Sequence, residues 1–222
     1  MEGLTQKQIE LNKQEIINLL SSTNREGIDK LISYLEKRDY FTAPASTQYH
    51  LSVVGGLAQH SLNVYKNMME LYYGTDWWTL SEYTAREQEV EHENIVIVAL
   101  LHDLCKVDFY KSTTRNVKEN GSWKEVQVYM VDEKMQILGH GSKSVIVAQQ
   151  FIKLYFPEIQ AISFHLGLQD DDKTFSGTVS NVYSTVKLVL YTHIADLRAT
   201  FEQDVDSLKS DGNEMNDNDL PF

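Results

Sequence analysis

The chain has 222 residues, a formal net charge of −12, 42% apolar residues and one cysteine, Cys105. That length allows one large domain or two small ones, and the apolar share supplies a real core, which argues against wholesale disorder. The negative charge argues against passive wrapping of nucleic acid, which needs a basic surface to displace counterions. A single cysteine rules out an internal disulfide framework and fits a reducing cytoplasm. No apolar run approaches the roughly 18 residues that would span a membrane, and the N-terminal MEGLTQKQIELNKQ lacks the apolar segment of a signal peptide.

In chain order, QKQIELNKQEIINLLSS carries Ile9, Ile16, Leu19 and Leu20 at helical spacing, and GIDKLISYLEKRDY aligns Ile28, Leu31, Ile32 and Leu35 on one stripe. FTAPASTQYH reads as a loop, because Pro44 and small polar residues break helix. GGLAQHSLNVYKNMMELYY returns to helical period through Leu57, Val64, Met68 and Leu71, with His60 on the same inward stripe. A helix from about Glu91 ends on LLHDLCK, where His102 and Asp103 stand side by side and Lys106 follows. Residues 112 to 131 change character. STTRNVK and WKEVQVYMV flank ENGS, an Asn-Gly turn signal, while Val126, Val128 and Met130 alternate, so a β-hairpin is predicted between helices.

GHGSKSVIVAQQFIKLYF reads as the next helix, capped by Ser142 or its neighbours. Pro157 separates it from EIQAISFHLG, a short helix closed by Gly167. NVYSTVKLVLYTHIADLRATFEQ reads as one last long helix. The end of the chain is strongly acidic, with Glu202, Asp204, Asp206, Asp211, Glu214, Asp217 and Asp219 against Lys209 alone. Its last stretch, SLKSDGNEMNDNDLPF, is too polar to pack. The predicted organisation is therefore all-α: N-terminal helices over 1–37, a helical-bundle domain over 38–203 with the hairpin inserted at about 112–131, and a disordered acidic tail over 204–222.

Seven histidines occur: His50, His60, His92, His102, His140, His165 and His193. A lone histidine on an apolar face is more often a hydrogen-bonded core residue than a ligand, but the set is harder to dismiss. His60, His102 and His165 sit in or beside apolar helical stripes, and His140 sits at a glycine-flanked helix start. Buried imidazoles each need a polar partner, and a shared metal centre satisfies them together. Histidine with carboxylate suits Mn, Fe, Co, Ni or Zn rather than Mg alone.

The order His60, His102-Asp103, Asp196 resembles the HD-domain metal-dependent phosphohydrolase superfamily, and His140 and His165 match the extra histidines of its binuclear members. The blocks FTAPASTQYHLSVVGGLAQHSLNVY, LLHDLCKVDFY, LGHGSKSV, AISFHLG and HIADLRAT resemble small HD proteins of phages and Gram-positive bacteria. More distantly they resemble the HD module of certain 3′–5′ exoribonucleases. The resemblance covers about residues 38 to 200.

It implies an HD-domain bundle with two divalent metal ions, Mn, Fe, Co, Ni, Zn or Mg. His60, His102, Asp103 and Asp196 would hold the first, Asp103 would bridge as the catalytic carboxylate, and His140 and His165 would complete the second. It further implies hydrolysis of phosphomono- or phosphodiesters by a metal-activated water, with no covalent enzyme intermediate. The substrate would be a nucleotide, cyclic nucleotide or short oligonucleotide, met in the cytoplasm, or in the host cytoplasm for a phage-encoded chain.

Lys106 is the first candidate phosphate contact and a catalytic one; His50, Lys143 and Arg198 are weaker substrate contacts, and a structural ion pair is at least as good a reading of Arg198. His193 shares a helix face with Asp196 and reads as a support for that ligand. His92 reads as part of a solvated helix start. Where relatives read His-Asp-x-Gly-Lys, this chain has Cys105 in place of the glycine. It is expected to pack as a small apolar residue, with a catalytic thiol as the less favoured alternative.

The last four residues, Asp219, Leu220, Pro221 and Phe222, resemble the C-terminal tip of bacterial single-stranded DNA-binding proteins, which docks on replication and repair proteins. An interaction protein that uses an HD scaffold and this tip is therefore the second reading, and a 3′–5′ exonuclease the third.

Overall fold

A computed structural model describes residues 4–74, 85–119, 121–132, 139–167 and 173–204. Helix α1, Gln6–Ser22, starts where the Thr5 hydroxyl accepts a hydrogen bond from the Gln8 N–H, and it buries Ile9, Asn12, Ile16 and Leu20. Helix α2, Ile28–Lys37, follows a turn at Gly27. There φ is +87°, and a Cβ would lie 2.0 Å from the Phe151 carbonyl oxygen, so only glycine fits. Helix α3, Gly56–Tyr73, and helix α4, Ala85–Leu101, form the centre.

From Ile95 to Leu101 every residue of α4 is fully buried. A helix that is apolar all round must be surrounded, and α1, α3 and α6 (Phe156–Phe164) pack on it, with α8 (Lys187–Arg198) also in contact. Each such Leu, Ile or Val contributes ~1.5–3 kcal/mol by burial. The polar doublet His102-Asp103 therefore emerges from the driest part of the molecule.

Strands β1, Tyr110–Glu119, and β2, Ser122–Val131, pair antiparallel from Tyr110 opposite Val131 to Glu119 opposite Ser122. This is the hairpin the sequence predicts, and Gly121 takes a positive φ at its turn. Helix α5, His140–Ala148, and helix α7, Lys173–Thr185, complete the set of eight helices among the described residues, and a π-helical turn, Ala199–Gln203, follows α8. The fold is an all-α bundle with an inserted hairpin. None of the described helices is long and apolar enough to cross a membrane. The acidic segment from 205 onward, with Asp219, Leu220, Pro221 and Phe222, lies outside the described residues.

Four element boundaries differ from the periodicity. Helix α4 begins at Ala85 rather than near Glu91. Helix α5 stops at Ala148 instead of running to Phe156; the chain tightens there into turns in which the Gln150 N–H donates to the Val147 carbonyl at 3.2 Å and the Phe151 N–H to the Ala148 carbonyl at 3.0 Å. It is preceded by Gly139 and has no side-chain cap, so Ser142 is not the cap. Pro157 lies inside the first turn of α6, where its missing N–H costs nothing, rather than between helices. The expected last long helix divides at Val186, which is extended, after Thr185 returns its hydroxyl to the Asn181 carbonyl at 2.8 Å.

Candidate metal centre

Five elements deliver one residue or doublet each to a common point. Helix α3 presents His60 from its buried stripe, and the end of α4 presents His102 and Asp103. Helix α5 starts on His140, α6 ends at His165, and α8 carries Asp196. The approach of α5 to α6 depends on Gly141, where a Cβ would lie 2.5 Å from the Ile162 carbonyl oxygen. His60, His102, Asp103, His165 and Asp196 are all buried, while the His140 side chain is 29% exposed, so the centre opens on the α5 side.

Asp103 lies in the middle. Its Oδ1 is 3.1 Å from His140 Nε2 and 3.6 Å from His165 Nε2. Its Oδ2 is 2.7 Å from Lys106 Nζ, 3.4 Å from His102 Nε2 and 3.7 Å from His60 Nε2. His60 Nε2 is in turn 3.1 Å from Asp196 Oδ1 and 3.3 Å from His102 Nε2.

Three of the rings are oriented from behind. His60 Nδ1 meets Asp204 Oδ2 at 2.7 Å, His102 Nδ1 meets the Ala99 carbonyl at 2.9 Å, and His165 Nδ1 meets the Ile162 carbonyl at 2.7 Å. Carbonyl and carboxylate oxygens only accept, so each Nδ1 donates and each Nε2 is turned inward. The Nε2 atoms of His60 and His102 then face each other with no donor between them unless a proton or a cation intervenes. Neither Asp103 Oδ1 nor His165 Nε2 has a hydrogen bond of normal geometry, although both are buried. Orphaned buried polar atoms are costly, and inward lone pairs beside carboxylates fit a divalent cation.

The charge balance agrees. Burial opposes charge on His60, yet its bonds to Asp196 and Asp204 outweigh burial and raise the ring to about 10. His140 is likewise disfavoured by burial but raised to about 9, chiefly by Asp103. Burial would raise Asp103, but Lys106 and His102 hold it well below the usual carboxylate range; burial would raise Asp196 too, and His60 holds it down. These protons sit on nitrogens that a metal would take, so metal uptake releases protons and is favoured by rising pH.

Donor atoms within 4.8 Å of one another fall into overlapping groups: His60, His102 and Asp196; His102, Asp103 and His165; Asp103, Cys105 and His140; His50, His60 and Asp204. In the last group, His60 Nδ1 already donates to Asp204, so Asp204 acts there as an orienting partner rather than a ligand.

The remaining predicted residues divide. His50 faces the centre with its ring 5.1 Å from that of His60, its buried Nε2 lacks a partner, and burial and the nearby His60 charge lower it to about 4. Lys106 is buried and ion-paired to Asp103; burial would lower its pKa, but that carboxylate raises it. Lys143 donates to the Cys105 carbonyl at 2.8 Å. Arg198 pairs with Glu70 at 3.2 Å and Glu202 at 3.3 Å, outside the cluster of imidazoles. His193 reaches the His165 carbonyl at 2.6 Å, supporting that residue rather than Asp196. His92 is not solvated as expected but half-buried, 3.0 Å from the Tyr65 hydroxyl.

Asp204, which the sequence groups with the acidic tail, belongs to the site. It is fully buried, bonded to His60 and, at 2.7 Å, to Asn63 Nδ2. The π-helical turn that delivers it is pinned to α3 by paired amides, Gln203 Nε2 to Asn67 Oδ1 at 2.9 Å and Asn67 Nδ2 to Gln203 Oε1 at 3.1 Å.

Residues 57–209 match the family model described as the HD domain. No curated protein and no solved structure significantly matches the chain.

Proposed function

Because the chain belongs to the HD-domain family and is a metal-dependent hydrolase, we propose that it cleaves phosphoester bonds in nucleotides, cyclic nucleotides or short oligonucleotides. The observation that carries this reading is the Asp103 carboxylate with imidazole nitrogens on both of its oxygens. His60, His102, Asp103 and Asp196 would hold one cation; Asp103, His140 and His165 would hold a second. When bound, such a pair polarises the phosphoryl oxygens and acidifies a water molecule.

The chain's own residues supply orientation and charge. Asp204, Ala99 and Ile162 keep the inward nitrogens of His60, His102 and His165 in place. Lys106 fixes Asp103 Oδ2 and keeps positive charge at the floor of the site, where it offsets an incoming phosphate. The phosphoester approaches from the open His140 side, within reach of Lys143 on the same helix and of His50 across the site. Arg198 is satisfied by Glu70 and Glu202, so it has a structural role in this reading.

The test is a screen of the full chain, loaded in turn with Mn, Fe, Co, Ni, Zn or Mg, against nucleotides, cyclic dinucleotides and short RNA or DNA. Turnover of one class with a transition metal is expected, and a 3′–5′ exonucleolytic mode would show as a product ladder. A metal-loaded protein that turns over none of them contradicts the proposal.

A further inference from the structure

Within LLHDLCK, Cys105 lies inside the donor cluster. Cys105 is buried, and a donor atom of each of Cys105, Asp103 and His140 falls within 4.8 Å of the others. The thiol is held there by the backbone. The Cys105 N–H donates to the Ser144 hydroxyl at 3.0 Å, and the Cys105 carbonyl accepts from Lys143 at 2.8 Å. Both partners belong to α5, the helix that starts on His140, so the 3-10 turn Leu104–Lys106 and the start of α5 are locked in register. A further observation points to a ligand beside this group: Asp103 Oδ1 and, 3.6 Å from it, His165 Nε2 are both buried, and neither makes a hydrogen bond of normal geometry.

We propose that Cys105 is a thiolate ligand of the cation on the His140 side, adding a sulfur donor to Asp103 and His140 in that half of the centre. The inference rests on the metal-centre reading of Asp103 and His140. On coordination the Cys105 S–H bond breaks, a metal–sulfur bond forms, and the proton passes to solvent; no electrons are exchanged. A thiolate is a soft donor, so this half of the centre selects Zn, Fe or Co over Mg and Mn. The other half, built from His60, His102 and Asp196, has no sulfur donor among the described residues. The two halves therefore differ in metal preference.

Cobalt(II) makes the test direct. Cys105 is the chain's sole cysteine, so any thiolate-to-cobalt charge-transfer absorption in the near ultraviolet belongs to it. The full chain, stripped of metal and titrated with cobalt(II) in thiol-free buffer, is expected to develop that band. Cys105→Ala and Cys105→Gly are expected to lack it and to bind zinc on this side at least ~10-fold more weakly, the lower end of what even an outer-shell partner costs. Cobalt bound by the wild-type protein without the band overturns Cys105 ligation and leaves the His–Asp centre standing. Wild-type protein that binds no cobalt overturns the metal-centre reading itself, and this inference with it.

Discussion

Asp103 can serve two cations because a carboxylate has two oxygens and each faces its own set of imidazoles. The histidines around it are legible in sequence as a set, since His60, His102 and His165 each fall in or beside an apolar helical stripe. Asp204 was not legible. It lies among Glu202, Gln203 and Asp206, and the π-helical turn brings it onto His60. Asp204→Ala removes the acceptor that fixes the His60 ring. It is expected to weaken metal binding by ~10–100-fold while circular dichroism stays unchanged; undiminished affinity in a metal titration would remove Asp204 from the account. By type alone Cys105 is a small packing residue; its place beside Asp103 and His140 comes from the turn after α4 meeting the start of α5.

At the scale of elements, the centre depends on how closely α5 and α6 approach. Gly141 leaves no room for a side chain, with a Cβ position 2.5 Å from the Ile162 oxygen and 2.6 Å from Ser163 Cα. Gly141→Ala must push the helices apart, at a cost of ~1–3 kcal/mol in stability, and it should separate His140 from His165. Gly177→Ala on α7, where a Cβ meets nothing within 4 Å, is the control and should stabilise by up to ~1 kcal/mol. Chemical denaturation with metal stoichiometry reads both, and equal effects would contradict the close-approach argument. The hairpin and the first two helices followed from turn chemistry and periodicity, which are local. The early end of α5 did not, because Ile152 and Leu154 stay buried beyond Ala148 and so prolong the apolar pattern past the end of the helix.

Across the whole molecule, Arg25 ties the N-terminal helices to the bundle that carries the site. Its guanidinium bonds Glu158 at 2.9 and 3.1 Å, bonds Glu93 on α4, and lies over the Tyr155 ring. Glu158 is fully buried, and it also accepts from the Tyr155 N–H at 2.6 Å. Arg25→Ala would leave that carboxylate buried without its cation, a loss of ~3–5 kcal/mol. Denaturant unfolding should show it, and a change below ~1 kcal/mol would mean the pair is no more than a surface bridge. Metal content measured together with hydrolysis of a bis-phosphoester reporter, for wild type and Asp103→Ala side by side, tests whether Asp103 holds a catalytic metal. Wild-type protein carrying transition metal and turning over the reporter, with Asp103→Ala losing both, is the predicted result. A metal-free wild type, or an Asp103→Ala variant equal to it in turnover, would contradict the account.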